Sequence, residues 1–347
     1  MDITRAIMAA LRLRLSGSGD QPVVKLQTTN AEAYELYLKG RFFWNQRGIG
    51  LKKALHYFEL SLIEDPNYAL AMSGLADAYG LLSWYGELPP AEANPKAIAA
   101  SKRAVQLDPG LAEAHTSLGF SQLWHGWDRA SAEHEFRRAI ELNPGTTPAR
   151  YWLGWLCSCA GLHEEAIEHC GQAVELEPFS AIDRTFLGWM NYHARKFDEA
   201  EQQLRQSIEL ENHRFVFGTW LLGKVYAAAD KRDLALRELG TAVENSRGSA
   251  WTRCMLGHAW GAFGDHAKAK EVLADLLDKD KHRYVRAFGV AMVYLGLGDH
   301  DQALVWLEKG CSDHDAWALM LKVDPIYANL RTDPRFVALL RAVGLDQ

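Results

Sequence analysis

Residues 147–180 read TPARYWLGWLCSCAGLHEEAIEHCGQAVELEPFS, and this stretch decides the fold. From His163 onward it sets Ala166, Cys170 and Ala173 at i, i+4 and i+7, with Glu, Gln and His between them. That spacing predicts an amphipathic helix. Pro178 cannot continue it, so Glu177-Pro178 is a stop. The first half carries Gly154 twelve positions before Ala166. A small residue there lets two antiparallel helices joined by a short turn interlock, small side chain against large. Gly161 falls in the turn, where a left-handed glycine ends the first helix.

The same unit recurs in both directions. Stops of one type lie at Asp65-Pro66, Asp108-Pro109, Asn143-Pro144 and Glu177-Pro178, in steps of 43, 35 and 34 residues. A further step of 34 lands on Glu211-Asn212, with Asn in place of the proline. Ala54, Ala97, Ala132, Ala166 and Ala200 each stand twelve before the proline position. In the first helices Gly154, Gly188, Gly223, Gly257 and Ala291 precede the next small residue by twelve. Eight units begin near residues 31, 69, 112, 147, 181, 216, 250 and 284. The first has extra residues around Gly48-Ile49-Gly50, and the second has nine extra at residues 86–95.

The chain has 38 Lys plus Arg against 44 Asp plus Glu, and 48% hydrophobic against 24% charged residues. That balance belongs to folded chains and excludes wholesale disorder. A net charge of −6 without clustered Lys and Arg argues against nucleic acid as a partner. Five cysteines, sparse and odd in number, form no disulfide framework. No apolar run of membrane-spanning length is present and the start is not a signal peptide, so the expected compartment is the cytoplasm.

A 34-residue period with this small, small, aromatic, small, proline pattern resembles the tetratricopeptide repeat. The resemblance implies an all-α, right-handed superhelical solenoid of about eight helix pairs over residues 29–311. An N-terminal amphipathic helix and linker would occupy residues 1–28, with Ile3, Ile7 and Leu11 on one stripe opposite Arg5, Arg12 and Arg14. C-terminal capping helices would occupy residues 312–347, with Trp317, Leu321, Phe336 and Leu340 covering the apolar face of the last repeat. Thr29-Asn30-Ala31-Glu32 fits a capping box that opens the first helix. Both ends, Ala33 to Asn45 and Asp324 to Leu345, resemble the repeat-bearing C-terminal region of bacterial signalling proteins. Members of that family carry an N-terminal winged-helix domain, serine/threonine kinase or nucleotide cyclase. The resemblance implies either a freestanding sensor or part of a longer product.

Catalysis finds no residues to stand on. His163-Glu164-Glu165 resembles the start of a zinc-binding HExxH, but position 167 is Ile and the next histidine, His169, is off the face of His163. Gly296-Leu297-Gly298-Asp299 falls in an inter-helix turn with no Walker lysine after it. Cys157, Cys159 and Cys170 read as small buried hydrophobes. No metal or cofactor is expected, and no enzyme.

The concave lining is more informative. With the small crossing residue counted as position eight, positions five, nine and twelve face inward by the family resemblance. They give an aromatic band in units three to six, and Trp124 at position thirteen extends it. The candidate partner-binding residues are Phe120, Trp124, Tyr151, Trp155, Trp189, Tyr192, Trp220 and Lys224. Aromatic side chains give large contact area at low entropy cost. A protein or peptide segment would lay apolar side chains over these rings, with Arg150, Arg184 and Lys224 steering an acidic stretch. The lysine at position five and asparagine at position nine that clamp chaperone-tail carboxylates are missing. The expected function is a non-enzymatic protein-interaction or sensor module; alternatively, the chain is the sensor part of a regulator, kinase or cyclase.

Overall fold

The computed structural model describes residues 27–280 and 284–346. Sixteen helices form eight antiparallel pairs: α1 (Ala31–Asn45) with α2 (Leu51–Glu64), α3 (Ala69–Trp84) with α4 (Pro90–Leu107), α5 (Ala112–Trp124) with α6 (Arg129–Leu142), and α7 (Thr147–Ala160) with α8 (His163–Leu176). The stack continues with α9 (Ala181–His193) and α10 (Phe197–Leu210), α11 (Val216–Ala228) and α12 (Arg232–Asn245), α13 (Ala250–Ala262) and α14 (His266–Asp280), then α15 (Ala287–Gly296) and α16 (His300–Ser312). Two 3-10 turns, Ala316–Met320 and Pro325–Leu330, and a last helix α17 (Pro334–Ala342) follow. Among the described residues there is no strand, and no helix is long and apolar enough to cross a membrane. The expected N-terminal helix, with Ile3, Ile7 and Leu11, lies outside the described residues.

The repeat geometry follows from the small residues. A Cβ on Gly154 would sit 2.7 Å from Cys170 Sγ and 2.8 Å from the Ala166 carbonyl oxygen. Only glycine admits α8 that close to α7. The first helix of a pair is the inner one: α7 buries eleven of its 14 residues, whereas α8 buries Ala166, Cys170 and Ala173 alone. A helix apolar on most sides belongs inside, and one with a single narrow stripe belongs outside.

The stops act through side-chain turns. Asp65, Asp108 and Asn143 end their helices in extended backbone, and each Oδ1 accepts from the backbone N–H two residues on, at 3.0, 3.1 and 3.0 Å. Where the proline is missing, Asn212 and His213 adopt φ 49° and 61°, the left-handed region that Asn tolerates well. The first cap is corrected by one residue. Asn30, not Thr29, is the N-cap of α1, accepting from Glu32 N and Ala33 N, while Thr28 ties the cap to Asp65 at 2.6 Å.

The C-terminal segment departs most from expectation. Phe336 is fully buried and packs against Tyr327, and Arg335 reaches Asp301 on α16, so α17 does sit at the end of the stack. Residues 314–324, however, also turn into the superhelix: the turn Ala316–Met320 packs both on α16 of the last repeat and on α3. His314 stacks on Trp127 with centroids 3.8 Å apart, and Lys322 donates to the Ala160 carbonyl at 3.2 Å.

Candidate functional site

The inner helices bring the expected band together. Trp124 lies 5.2 Å from Trp155, Trp155 4.4 Å from Trp189, and Trp189 5.8 Å from Trp220, measured between ring centroids. Tyr151 stacks on Phe186 at 4.2 Å, and Phe120 meets Trp152 at 4.7 Å. Four helices, α5, α7, α9 and α11, thus contribute one continuous aromatic wall. Tilted and edge-on pairs of this kind add about 0.5–1.5 kcal/mol each beyond burial.

The wall is not open. All four tryptophans are 0% exposed, Tyr151 and Tyr192 1%, Lys224 2% and Phe120 3%. The protein itself covers them, in two layers. The first is the C-terminal end of α3, which the insertion after residue 85 frees to reach the axis. Trp84 meets Trp189 at 5.9 Å and Phe217 at 5.8 Å, while Tyr85 meets Trp251 at 5.3 Å. The second is the segment 315–324. Its Trp317 sits between Trp84 at 5.9 Å and Trp220 at 6.0 Å, and Ala316 to Leu321 are all buried.

Two buried ion pairs seat that segment. Lys224 pairs with Asp324, whose other oxygen accepts from the Tyr192 hydroxyl at 2.8 Å. The ammonium also faces the rings of Tyr192 at 5.1 Å and Trp220 at 5.2 Å. Burial would raise the Asp324 carboxyl, but Lys224 and its other donors hold it below the ordinary range. Arg286 pairs with Asp315 and donates to the carbonyl of Trp84 at 2.7 Å and to that of Ser83. These are helix-end carbonyls of α3, where the macrodipole is negative and a cation is favoured. The guanidinium lies 4.8 Å over the Trp317 ring. Burial outweighs Arg286 at Asp315, whose carboxyl is raised.

Models of the tetratricopeptide repeat match residues 128–181, 250–275 and 289–309. These helix pairs are tetratricopeptide repeats. No curated protein matches the sequence. Among solved structures the chain is similar to the Cut9–Hcn1 hetero-tetramer of the APC/C, with TM-score 0.60, 18% identity, and coverage of 97% of this chain and 59% of that one. It is similar to human IFIT1, solved as a dimer with PPP-AAAA (TM-score 0.58, 15% identity, 90% and 77% covered). Yeast Tom70 matches at TM-score 0.50 and 15% identity, over 98% of this chain and 76% of that one. At such identities the likeness is one of fold. No catalytic family is indicated.

Elsewhere in the repeats, Arg150 and Arg184 are tied within their own pairs. Arg150 donates to Gln172 and the Pro144 carbonyl, and Arg184 to Gln203, Gln206 and the Pro178 carbonyl. They do not flank Asp324, and Lys224 is the one of the three that meets an acid on the segment. Ser158 and His193 form a hydrogen-bonded pair at 2.7 Å, but Trp189 Nε1 donates to His193 Nε2. The imidazole therefore carries its proton on Nδ1 and donates to Ser158, the reverse of a base activating a nucleophile. Burial lowers His193 to about 3 and raises the Cys157 and Cys159 thiols to about 11 and 12, so none is a poised nucleophile or base. A cleft of about 780 Å³ does stay open where the end of α1 faces the loops before α7, α9 and α11; Tyr151 reaches it, beside Arg41, Trp44 and Arg47.

Sequence reasoning missed Trp84, Phe217, Arg286, Asp315 and Asp324. Both aspartates also cap local turns: Asp315 accepts from Trp317 N at 2.9 Å and Asp324 from Ile326 N at 3.1 Å. The nine extra residues after Gly86 were the one signal that α3 ends differently from its neighbours.

Proposed function

We propose that this chain is a non-catalytic interaction module whose protein partner engages the aromatic concave wall, and that residues 315–324 occupy the wall until the partner takes their place. One observation carries this reading. The wall already holds a peptide segment in the manner a partner would use, apolar side chains on the rings and a carboxylate on Lys224. Tetratricopeptide-repeat proteins bind protein or peptide partners, and Cut9 is assembled with Hcn1 in its own structure. Were the chain the sensor part of a regulator, kinase or cyclase, the same displacement would be its input.

The test loosens the segment and leaves the wall intact. Trp317→Ala with Leu321→Ala in the full chain removes two anchors that are 3% and 0% exposed. A fluorescently labelled peptide of residues 313–326 should bind this variant, read by anisotropy, and bind the parent far more weakly because its own segment competes in cis. Circular dichroism should remain helical. Equal, weak binding to both would make the wall an ordinary core.

A further inference from the structure

We infer that the wall selects its partner by two carboxylates nine positions apart with a tryptophan two residues after the first, received by Arg286 and Lys224. This deepens the proposed function and rests on it. The occupant to which the proposal commits is a segment of a protein partner bearing that pattern.

The two basic side chains sit in different surroundings, and each is built around an acid. Arg286 is 5% exposed; its Nη2 is fixed by the Ser83 and Trp84 carbonyls, which leaves Nη1 to meet Asp315 in a set direction. Lys224 is 2% exposed and framed by Trp189, Tyr192 and Trp220, with the Tyr192 hydroxyl as a second donor to the same carboxylate. Between them Trp317 fills the space bounded by Trp84 and Trp220. A carboxylate, not a neutral amide, completes each arrangement, because the partner group is a buried cation.

Spacing is read as well as charge. Asp315 and Asp324 stand nine positions apart, with the turn Ala316–Met320 between them. In 3-10 geometry nine residues rise about 18 Å, whereas fully extended they would span about 30 Å. A partner must fold one compact turn to place both acids, and an extended acidic peptide would satisfy only one. Buried ion pairs add little net stability over apolar groups of the same volume, and their best-attested use is to fix register. Two such pairs bracketing one removable segment fit that use.

The experiment uses the full-length Trp317→Ala, Leu321→Ala protein and the labelled 313–326 peptide. Asp315→Asn and Asp324→Asn peptides should each bind about thirtyfold more weakly or worse, the size expected when one member of a buried charge pair is lost. A peptide that keeps only the two aspartates and the tryptophan, with its other apolar residues exchanged among Ala, Leu and Met, should bind within about tenfold of the original. One inserted residue between Trp317 and Asp324 should cost as much as losing an aspartate. If the peptide binds but both Asn forms bind as well as the original, the pattern is wrong while the groove stands. If no peptide binds, the proposed function itself fails. Should light scattering show the variant pairing with the parent chain at the peptide's affinity, the occupant is a second copy, and the assignment to a foreign partner is overturned.

Discussion

Lys224→Met isolates the better-defined of the two ion pairs. Lys224 and Asp324 are each 2% exposed, so the substitution strands a carboxylate in the core with the Tyr192 hydroxyl and Ile326 N–H as its remaining donors. Breaking a buried pair this way typically costs about 3–5 kcal/mol. A ceiling exists, because Asp324 can escape by taking a proton. From its ordinary 3.8, protonation at pH 7 costs about 4 kcal/mol and at pH 5 about 1.6 kcal/mol. The expected loss is therefore about 3–4 kcal/mol at pH 7 and under about 2 kcal/mol at pH 5. The sign of the pH dependence reverses with the substitution. In the parent the Asp324 carboxyl is held below 3.8, so its contribution is present above that value and lost on acidification. In Lys224→Met the carboxyl is raised, so the penalty is absent in acid and grows as pH rises. Urea unfolding followed by far-ultraviolet circular dichroism at both pH values measures this. Hydrogen exchange over residues 315–324 reports whether the segment leaves first. Lys224→Met with Asp324→Leu should recover most of the loss, since neither charge is then stranded. A loss under about 1 kcal/mol at pH 7, equal at pH 5, would mean the pair is solvated and the groove reading is unsound.

Four further outcomes are expected. Burial raises the Asp183 carboxyl to about 7, and its oxygens meet no donor at hydrogen-bond geometry, so its contribution is intact in acid and lost as pH rises through 7; Asp183→Asn should stabilise the protein by about 2 kcal/mol at pH 8 and hardly at all near pH 4, in urea midpoints. His125 is lowered to about 3 by burial and its ring nitrogens have no partner, so its stability is present above 6.5 and falls away on acidification; His125→Phe should be near neutral at pH 7.5 and stabilising by about 2 kcal/mol at pH 5. Gly154→Ala should cost about 1–3 kcal/mol by overpacking against Cys170 and the Ala166 carbonyl, while Gly240→Ala in α12, which meets nothing within 4 Å, should gain about 0.5–1 kcal/mol in thermal melts. Deleting residues 316–347 should expose the tryptophan wall and lower the melting temperature or cause aggregation; a monodisperse product with unchanged melting would refute the covering role.

The helices were legible because the repeat encodes each of them locally. Small residues twelve apart and the Asp-Pro or Asn-Pro stops place the starts of α1, α3, α5, α7, α9, α11 and α13 at the residues expected, and α15 begins at Ala287, three later. The aromatic wall was legible for the same reason, since period and position fix which side chains face inward. Its cover was not. Asp324 finds Lys224 a hundred residues away, and Arg286 finds Ser83 at a separation of 203. Residues 312–347 lack the period, so nothing local says which surface they meet. Trp317 and Leu321 read as a lid for the last repeat because a solenoid end needs one. In the groove they are 3% and 0% exposed.

The cover also changes how the chain comes together. A stack whose members touch only their neighbours can assemble from any starting point and lose its end units one at a time. Here the turn Ala316–Met320 reaches back to α3, and Arg129 donates to the Gly344 carbonyl 215 positions later. Units two to six gain their last interior contacts only when nearly all of the chain has left the ribosome. Until then a row of tryptophans stands in water, the kind of surface that chaperones hold and that sticks to its own kind. Frayed ends should be scarce once the segment is seated, and unfolding should gather into fewer, larger steps than an open array would show.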